Sequence, residues 1–171
     1  TRRLSALALL AIAGALRAAG PSVQAEVVEI ESLTHDVKRL RLKLPAGYSF
    51  QAGQFALVRV PDTFVREWNA KYGAKHGEVR RPYSFASSPS RLPIAEFIVK
   101  LAAAPPGKDV PPGLCSTWIH RHLQAGDRIE IGTALGSLSV ESGSKRPIVL
   151  VAGSSGIAPF VGLLEHWFET R

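Results

Sequence analysis

Along residues 37–44 the chain alternates regularly, with Leu40, Leu42 and Leu44 on one side and Arg39, Arg41 and Lys43 on the other. A two-residue period is that of a β-strand with one face in a core and the other in water. Five further stretches read as strands. Residues 26–33 carry Val27, Val28, Ile30 and Leu33, and residues 55–60, 81–86, 94–101 and 128–131 are the others. Turn residues bound them: Thr34-His35-Asp36, Pro45-Ala46-Gly47, Ala52-Gly53-Gln54, Pro61 and residues 124–127. About six such strands with little helix predict a mostly β protein built on an antiparallel barrel rather than a parallel sheet.

Between the strands, residues 62–79 are polar and mixed and contain Trp68 and Tyr72, which predicts a helical excursion. Residues 102–113 read as a Pro/Gly-rich loop, and residues 116–123 as a short helix capped by Ser116 or Thr117. Lys145-Arg146-Pro147 marks a boundary. Beyond it comes a continuous apolar run at 148–152, then Gly153-Ser154-Ser155-Gly156, then an amphipathic segment to Arg171. Strand, glycine turn and helix in that order open a βαβ nucleotide-binding unit. A parallel sheet needs several such units to cover both faces, and the chain supplies one. Leu163, Leu164, Trp167 and Phe168 are therefore expected to face an absent sheet. This division gives 1–24 as an apolar helix or linker, 25–144 as the barrel, and 145–171 as the start of an incomplete nucleotide-binding domain.

The first segment stays open among three readings. Thr1-Arg2-Arg3 precedes an apolar run at 4–16, whose helix would span about 20 Å, short of a roughly 30 Å hydrocarbon core. It reads as a membrane-associated stretch, as a secretory signal, or as a core or linker helix. The net charge of +7 attracts anionic partners without choosing among them. Lys and Arg are scattered, with no basic run interleaved with aromatics, which argues against nucleic acid. The single cysteine, Cys115, excludes an internal disulfide and any multi-cysteine cluster or zinc site. His120 and His122 lie two apart and point to different faces of a helix, so no metal site is expected.

Three short motifs carry candidate chemistry. In Arg81-Pro82-Tyr83-Ser84, a strand puts Arg81 and Tyr83 on one face. A guanidinium suits a phosphate, and the tyrosine offers a flat ring with a hydroxyl; alone, the four residues also read as an ordinary edge strand. Gly113-Leu114-Cys115-Ser116-Thr117 leads into a helix whose first N–H groups form an anion site, or simply a capped helix. Gly153-Ser154-Ser155-Gly156-Ile157-Ala158-Pro159 repeats that arrangement after an apolar run.

Taken together, in this order, these motifs resemble the ferredoxin–NADP reductase superfamily. The matching text is Arg81-Pro82-Tyr83-Ser84-Phe85-Ala86-Ser87, then Gly113-Leu114-Cys115-Ser116, then Gly126-Asp127, then Gly156-Ile157-Ala158-Pro159. Residues 62–80, with Arg66-Glu67-Trp68, and the Pro-rich 105–113 are most similar to the flavin subunit of sodium-translocating NADH:quinone reductase. The resemblance implies a six-stranded Greek-key FAD-binding barrel followed by the first βα unit of a truncated α/β nucleotide-binding domain. It implies that Arg81 binds the flavin pyrophosphate, that Pro82 belongs to the FAD site beside it, that Tyr83 packs on the isoalloxazine ring, and that Ser84 hydrogen-bonds near its N5; Tyr83 and Ser84 are thereby the catalytic pair. Val99 and Lys100 run beside the ribityl chain, and Gly113, Cys115, Ser116 and Thr117 cradle the diphosphate, Cys115 as a small loop residue through its backbone. Gly153, Gly156 and Pro159 face the nicotinamide dinucleotide.

The implied activity passes electrons from NADH or NADPH through FAD to a separate acceptor: an iron–sulfur protein, a quinone-linked complex or an oxygenase component. The implied setting is the cytoplasm or the cytoplasmic face of a membrane. Two other readings stand beside it: an FAD-binding module without independent turnover, its nucleotide domain supplied in trans, and a barrel that has lost its cofactor.

Overall fold

The structure, a computed structural model, describes residues 21–140 and 147–170. The apolar run at 4–16, with its membrane and signal readings, and the boundary at Lys145-Arg146 lie outside the described residues. Six strands form one antiparallel sheet: β1 (Val23–Ser32), β2 (Val37–Lys43), β3 (Phe55–Arg59), β4 (Arg80–Ser84), β5 (Ile94–Lys100) and β6 (Arg128–Ile131), in the order β4-β3-β6-β1-β2-β5. The two edges meet just past β4, where Phe85 bridges Phe97 and the Ala86 N–H donates to Glu96 O at 2.8 Å. That contact turns the sheet into a barrel and removes its free edges there.

The alternation on β2 places its partners as the pattern requires. Leu40 pairs with Phe97 and Leu42 with Ala95, all fully buried, whereas Arg41 pairs with Glu96 and Glu29. Arg41 Nε lies 3.2 Å from Glu96 and its Nη1 donates to Glu29 at 2.9 Å, so the outer face is stitched by cross-strand ion pairs. On β1 a bulge between Val27 and Glu29 breaks the alternation. Ala25 and Val27 are buried, but Val28 is turned outward. Inside, the Phe85 ring stacks on Phe50 at 3.9 Å and lies 5.1 Å from Phe97.

Helix α1 (Asp62–Tyr72) fills the predicted excursion between β3 and β4; Gly73, at φ 62°, ends it in the left-handed region open to glycine. Helix α2 (Leu114–Arg121) starts earlier than expected. Gly113 is its N-cap, and no side chain caps it. The hydroxyl of Ser116 instead accepts from the Ala102 N–H and donates to Gly113 O, both at 3.1 Å, which pins the 102–113 loop.

The expected strand at 148–152 does not form. A strand exists through its neighbours, and no strand borders this one among the described residues; Val149 and Val151 are each 83% exposed. The chain continues through a 3₁₀ turn (Ser154–Ile157) into helix α3 (Ala158–Glu169). The helix docks on the barrel more fully than predicted. Gly162 lies so close to Phe85 O and Ser87 O that an added Cβ would sit 2.9 and 2.8 Å from them. Leu163 is buried, while Leu164 and Phe168 remain exposed. Glu165 accepts the Ser88 N–H at 2.7 Å and pairs with Arg91, and Ser90 donates to Glu169 at 2.5 Å. Among the described residues, no helix is long and apolar enough to cross a membrane.

Candidate functional site

Strand β4 and the start of α2, thirty residues apart in sequence, meet through one contact: Tyr83 Oη donates to Cys115 Sγ at 3.6 Å. The antiparallel register with β3 sets Tyr83 opposite Ala56 and Arg81 opposite Val58, so both stand on one face as period two requires. The Tyr83 ring is half-buried and lies 6.1 Å from Phe97. Burial pushes the tyrosine pKa upward, reinforced by the neighbouring thiol. Burial likewise pushes the Cys115 thiol up to about 11, against the Tyr83 hydrogen bond and the Arg81 charge. Both groups are therefore neutral at physiological pH. Cys115 is not the loop residue the sequence suggested. It lies in the first turn of α2 and its sulfur, not its backbone alone, ties that turn to β4.

Arg81 is exposed, and among the described residues only its Nη1 is engaged, donating to Arg80 O at 2.8 Å. Its neighbour Arg80 is paired with Glu78 and Glu130, whereas no carboxylate pairs with Arg81 among the described residues. At α2, the Gly113 N–H donates to Ala102 O at 2.7 Å and the Thr117 N–H to Gly113 O at 2.9 Å. The N–H groups of Leu114, Cys115 and Ser116 are left without an acceptor among the described residues, which is an anion cradle at a helix N-terminus. A Cβ at Gly113 would fall 2.7 Å from Ala102 Cβ and 2.9 Å from Ser116 Oγ, so only glycine lets the loop close over this turn. A guanidinium without a counter-charge, three free N–H donors and a half-buried aromatic face suit the diphosphate and ring of a flavin nucleotide.

Other predicted residues take more varied places. Ser84 is half-buried and Pro82 exposed on β4. Val99 is buried, its carbonyl 2.9 Å from His120 Nε2. The Ser116 hydroxyl is spent on the loop, and Thr117 Oγ1 is buried without a partner among the described residues. Lys100 reaches Asp36 at 3.4 Å and Ser154 Oγ at 3.1 Å, which ties the Gly153–Gly156 turn to the end of β5. Gly153 and Gly156 are exposed with open space where a Cβ would stand, and Pro159 opens α3. Sequence reasoning missed Asp36, whose carboxylate is lowered first by the Thr34 hydroxyl and then by Lys100. It also missed the polar face of α3. Glu165 and Glu169, four apart with His166 beside them, were the available signal.

This fold and site define a closed antiparallel barrel with an anion cradle and an aromatic face at one rim, an arrangement suited to a flavin nucleotide. The profile of the oxidoreductase FAD-binding domain matches residues 24–140, and the chain belongs to that family. Among curated relatives it is 32% identical over 150 residues to the reductase component of propane 2-monooxygenase from Mycolicibacterium goodii, covering 86% of this chain and 37% of that protein. It is 30% identical over 152 residues to one subunit of the Na(+)-translocating NADH-quinone reductase from Pseudomonas paraeruginosa, covering 78% and 36%. Of solved structures, the cytochrome P450 reductase of Amycolatopsis superposes with a TM-score of 0.64 at 26% identity, over 88% of this chain and 40% of the other. A ferredoxin NADP+ reductase from Neisseria gonorrhoeae with bound FAD and NADP shares the fold, at a TM-score of 0.63 and 24% identity, over 85% and 51%. The chain thus spans little more than a third of the length of the curated relatives it matches.

Proposed function

We propose that residues 25–144 form the flavin module, and 145–171 the start of the nucleotide-binding module, of an NAD(P)H-dependent reductase that delivers electrons through FAD to a separate acceptor. The observation that carries this reading is the Tyr83–Cys115 contact, which holds the exposed Arg81 and the free N–H groups of α2 at one rim. Bound FAD supplies the exchange between two-electron and one-electron chemistry that no side chain provides. The chain's own work is binding and orientation. Arg81 and the Leu114, Cys115 and Ser116 N–H groups neutralise the diphosphate, with Gly113 keeping the loop clear and Thr117 anchoring the turn behind them. Tyr83 presents its ring, beside Pro82, and Ser84 its hydroxyl, to the reacting end. Val99 and Lys100 border the chain between, and Gly153, Gly156 and Pro159 face the nicotinamide donor.

The reductase components among the relatives support an acceptor on another protein: an iron–sulfur protein, a quinone-linked complex or an oxygenase component. A nicotinamide donor fits a cytoplasmic place of action. The visible spectrum of the purified chain with added FAD, before and after NADH or NADPH, tests the reading: a bound-flavin band that bleaches with the nucleotide is expected. The exposed Val149, Val151 and Phe168 favour a second reading, a flavin module whose nucleotide-binding surface comes from elsewhere. Bleaching by dithionite alone selects that second reading, and no flavin band at all removes both.

A further inference from the structure

Between α1 and α2 lies a cavity of about 230 Å³ that the flavin reading leaves unused. Its walls are aromatic, with Phe64 4.8 Å from the His122 ring and Trp68 4.5 Å from Tyr72. Two residues of its lining carry polar atoms without partners: among the described residues, Trp68 Nε1 and Thr117 Oγ1 are buried without a hydrogen bond, in residues only 4% and 5% exposed. A buried indole N–H ordinarily finds an acceptor, and a helical threonine ordinarily turns its hydroxyl to the carbonyl four residues back. Here that carbonyl, Gly113 O, takes the Thr117 N–H and the Ser116 hydroxyl instead. The rim adds Lys71, its ammonium 5.2 Å above the Tyr72 ring, and Arg121, against one carboxylate, Glu67.

We propose that this cavity binds a small aromatic carboxylate, ring among Phe64, Trp68 and Tyr72, acceptor oxygens toward Trp68 Nε1 and Thr117 Oγ1. A carboxylate carries only acceptors, which is what two unmet donors require, and the cationic rim matches its charge. A phosphate satisfies the donors but leaves the aromatic walls without a partner. The cavity is smaller than the roughly 300–1,000 Å³ pockets that enclose drug-sized ligands, which limits the occupant to one or two rings. Both polar atoms are closed from solvent, so the entering acceptor displaces an aromatic edge. The cavity runs along the side of α2 from Thr117 to His122, whereas the anion cradle opens at the helix N-terminus.

The test uses the 171-residue chain, with benzoate as the probe and benzyl alcohol as its neutral counterpart, followed by calorimetry and saturation-transfer NMR. Saturable benzoate binding, little binding of benzyl alcohol and no change on adding FAD are expected. Trp68→Phe keeps the ring and removes the N–H, and should weaken benzoate about tenfold, the worth of a charge-assisted hydrogen bond. Arg121→Gln on the rim should weaken it about threefold, and carries the test if Trp68→Phe does not fold. Absent saturation, equal binding of the alcohol, or indifference to these substitutions overturns the proposal. Displacement of benzoate by FAD or adenosine monophosphate also overturns it, by giving the cavity to the cofactor.

Discussion

Residues 128–131 and 148–152 both carry branched apolar residues and are followed by a glycine, yet only the first becomes a strand. β6 lies between β1 and β3 and pairs with both, so Ile129 and Ile131 are sealed inside the barrel. Residues 148–152 keep the exposure rhythm of a strand, Ile148 and Leu150 half-buried between exposed valines, with nothing bordering them. β-propensity is a readiness to fit beside other strands, and where none is supplied it remains only a pattern. The helices that follow a glycine turn differ in the same way. The first turn of α2 is locked between β4 and the 102–113 loop, whereas α3 rests on the barrel through Gly162 and a polar fringe at Glu165 and Glu169.

If the barrel is one cooperative unit, damage where it closes should be costly. Phe85 supplies both a fully buried ring, stacked on Phe50, and the backbone bridge to Phe97. Phe85→Ala is expected to lower stability by about 3–5 kcal/mol, read from the urea midpoint. A loss below about 1 kcal/mol would mean that the closure is held elsewhere, and the contrast with the 148–170 segment would weaken.

The lock between β4 and α2 gives a second, smaller test. Burial raises the Cys115 thiol from 9.0 to about 11, so the folded chain keeps a proton that the unfolded chain sheds over that interval. The unfolded state then binds fewer protons, and stability falls as pH rises. The contribution is whole below pH 9 and is lost on approaching pH 11, by about 2–3 kcal/mol. Comparing urea unfolding of the native chain and Cys115→Ala across that window isolates the thiol; parallel curves would show that Cys115 is not buried as described.

The contrast also explains what the sequence disclosed. The alternation of Leu40 and Leu42 with Arg39 and Arg41 sufficed for β2, because a period of two leaves one choice of buried face. Arg81, Tyr83 and Gly113 were legible as a group through their motifs. The Tyr83–Cys115 contact was not, since it depends on how far α2 lies from β4, and no local pattern encodes that distance. The cap of α2 was misjudged for a similar reason. Ser116 has the chemistry of a capping residue, but the neighbouring Ala102 N–H competed for its hydroxyl and won. Ile30 shows the limit from the other side: strict alternation from Val27 would turn it outward, and one bulge returns it to the core side opposite Leu40.

The smallest expected effect is also the sharpest on the comparison. Val149 and Val151 are apolar, β-branched and each 83% exposed, so they contribute a strand's composition without its burial. Replacing both with lysine removes that composition and touches no contact with the barrel. Surface changes of this kind stay within about 0.5 kcal/mol, and the thermal midpoint of the double variant should match the native chain. The same two lysines placed at Ile129 and Ile131 would bury charges and unfold the barrel. A clear loss of stability from Val149→Lys with Val151→Lys would show that residues 148–152 do pair in solution, with another chain or with a second copy. The difference between the two stretches would then be one of available partners rather than of fold.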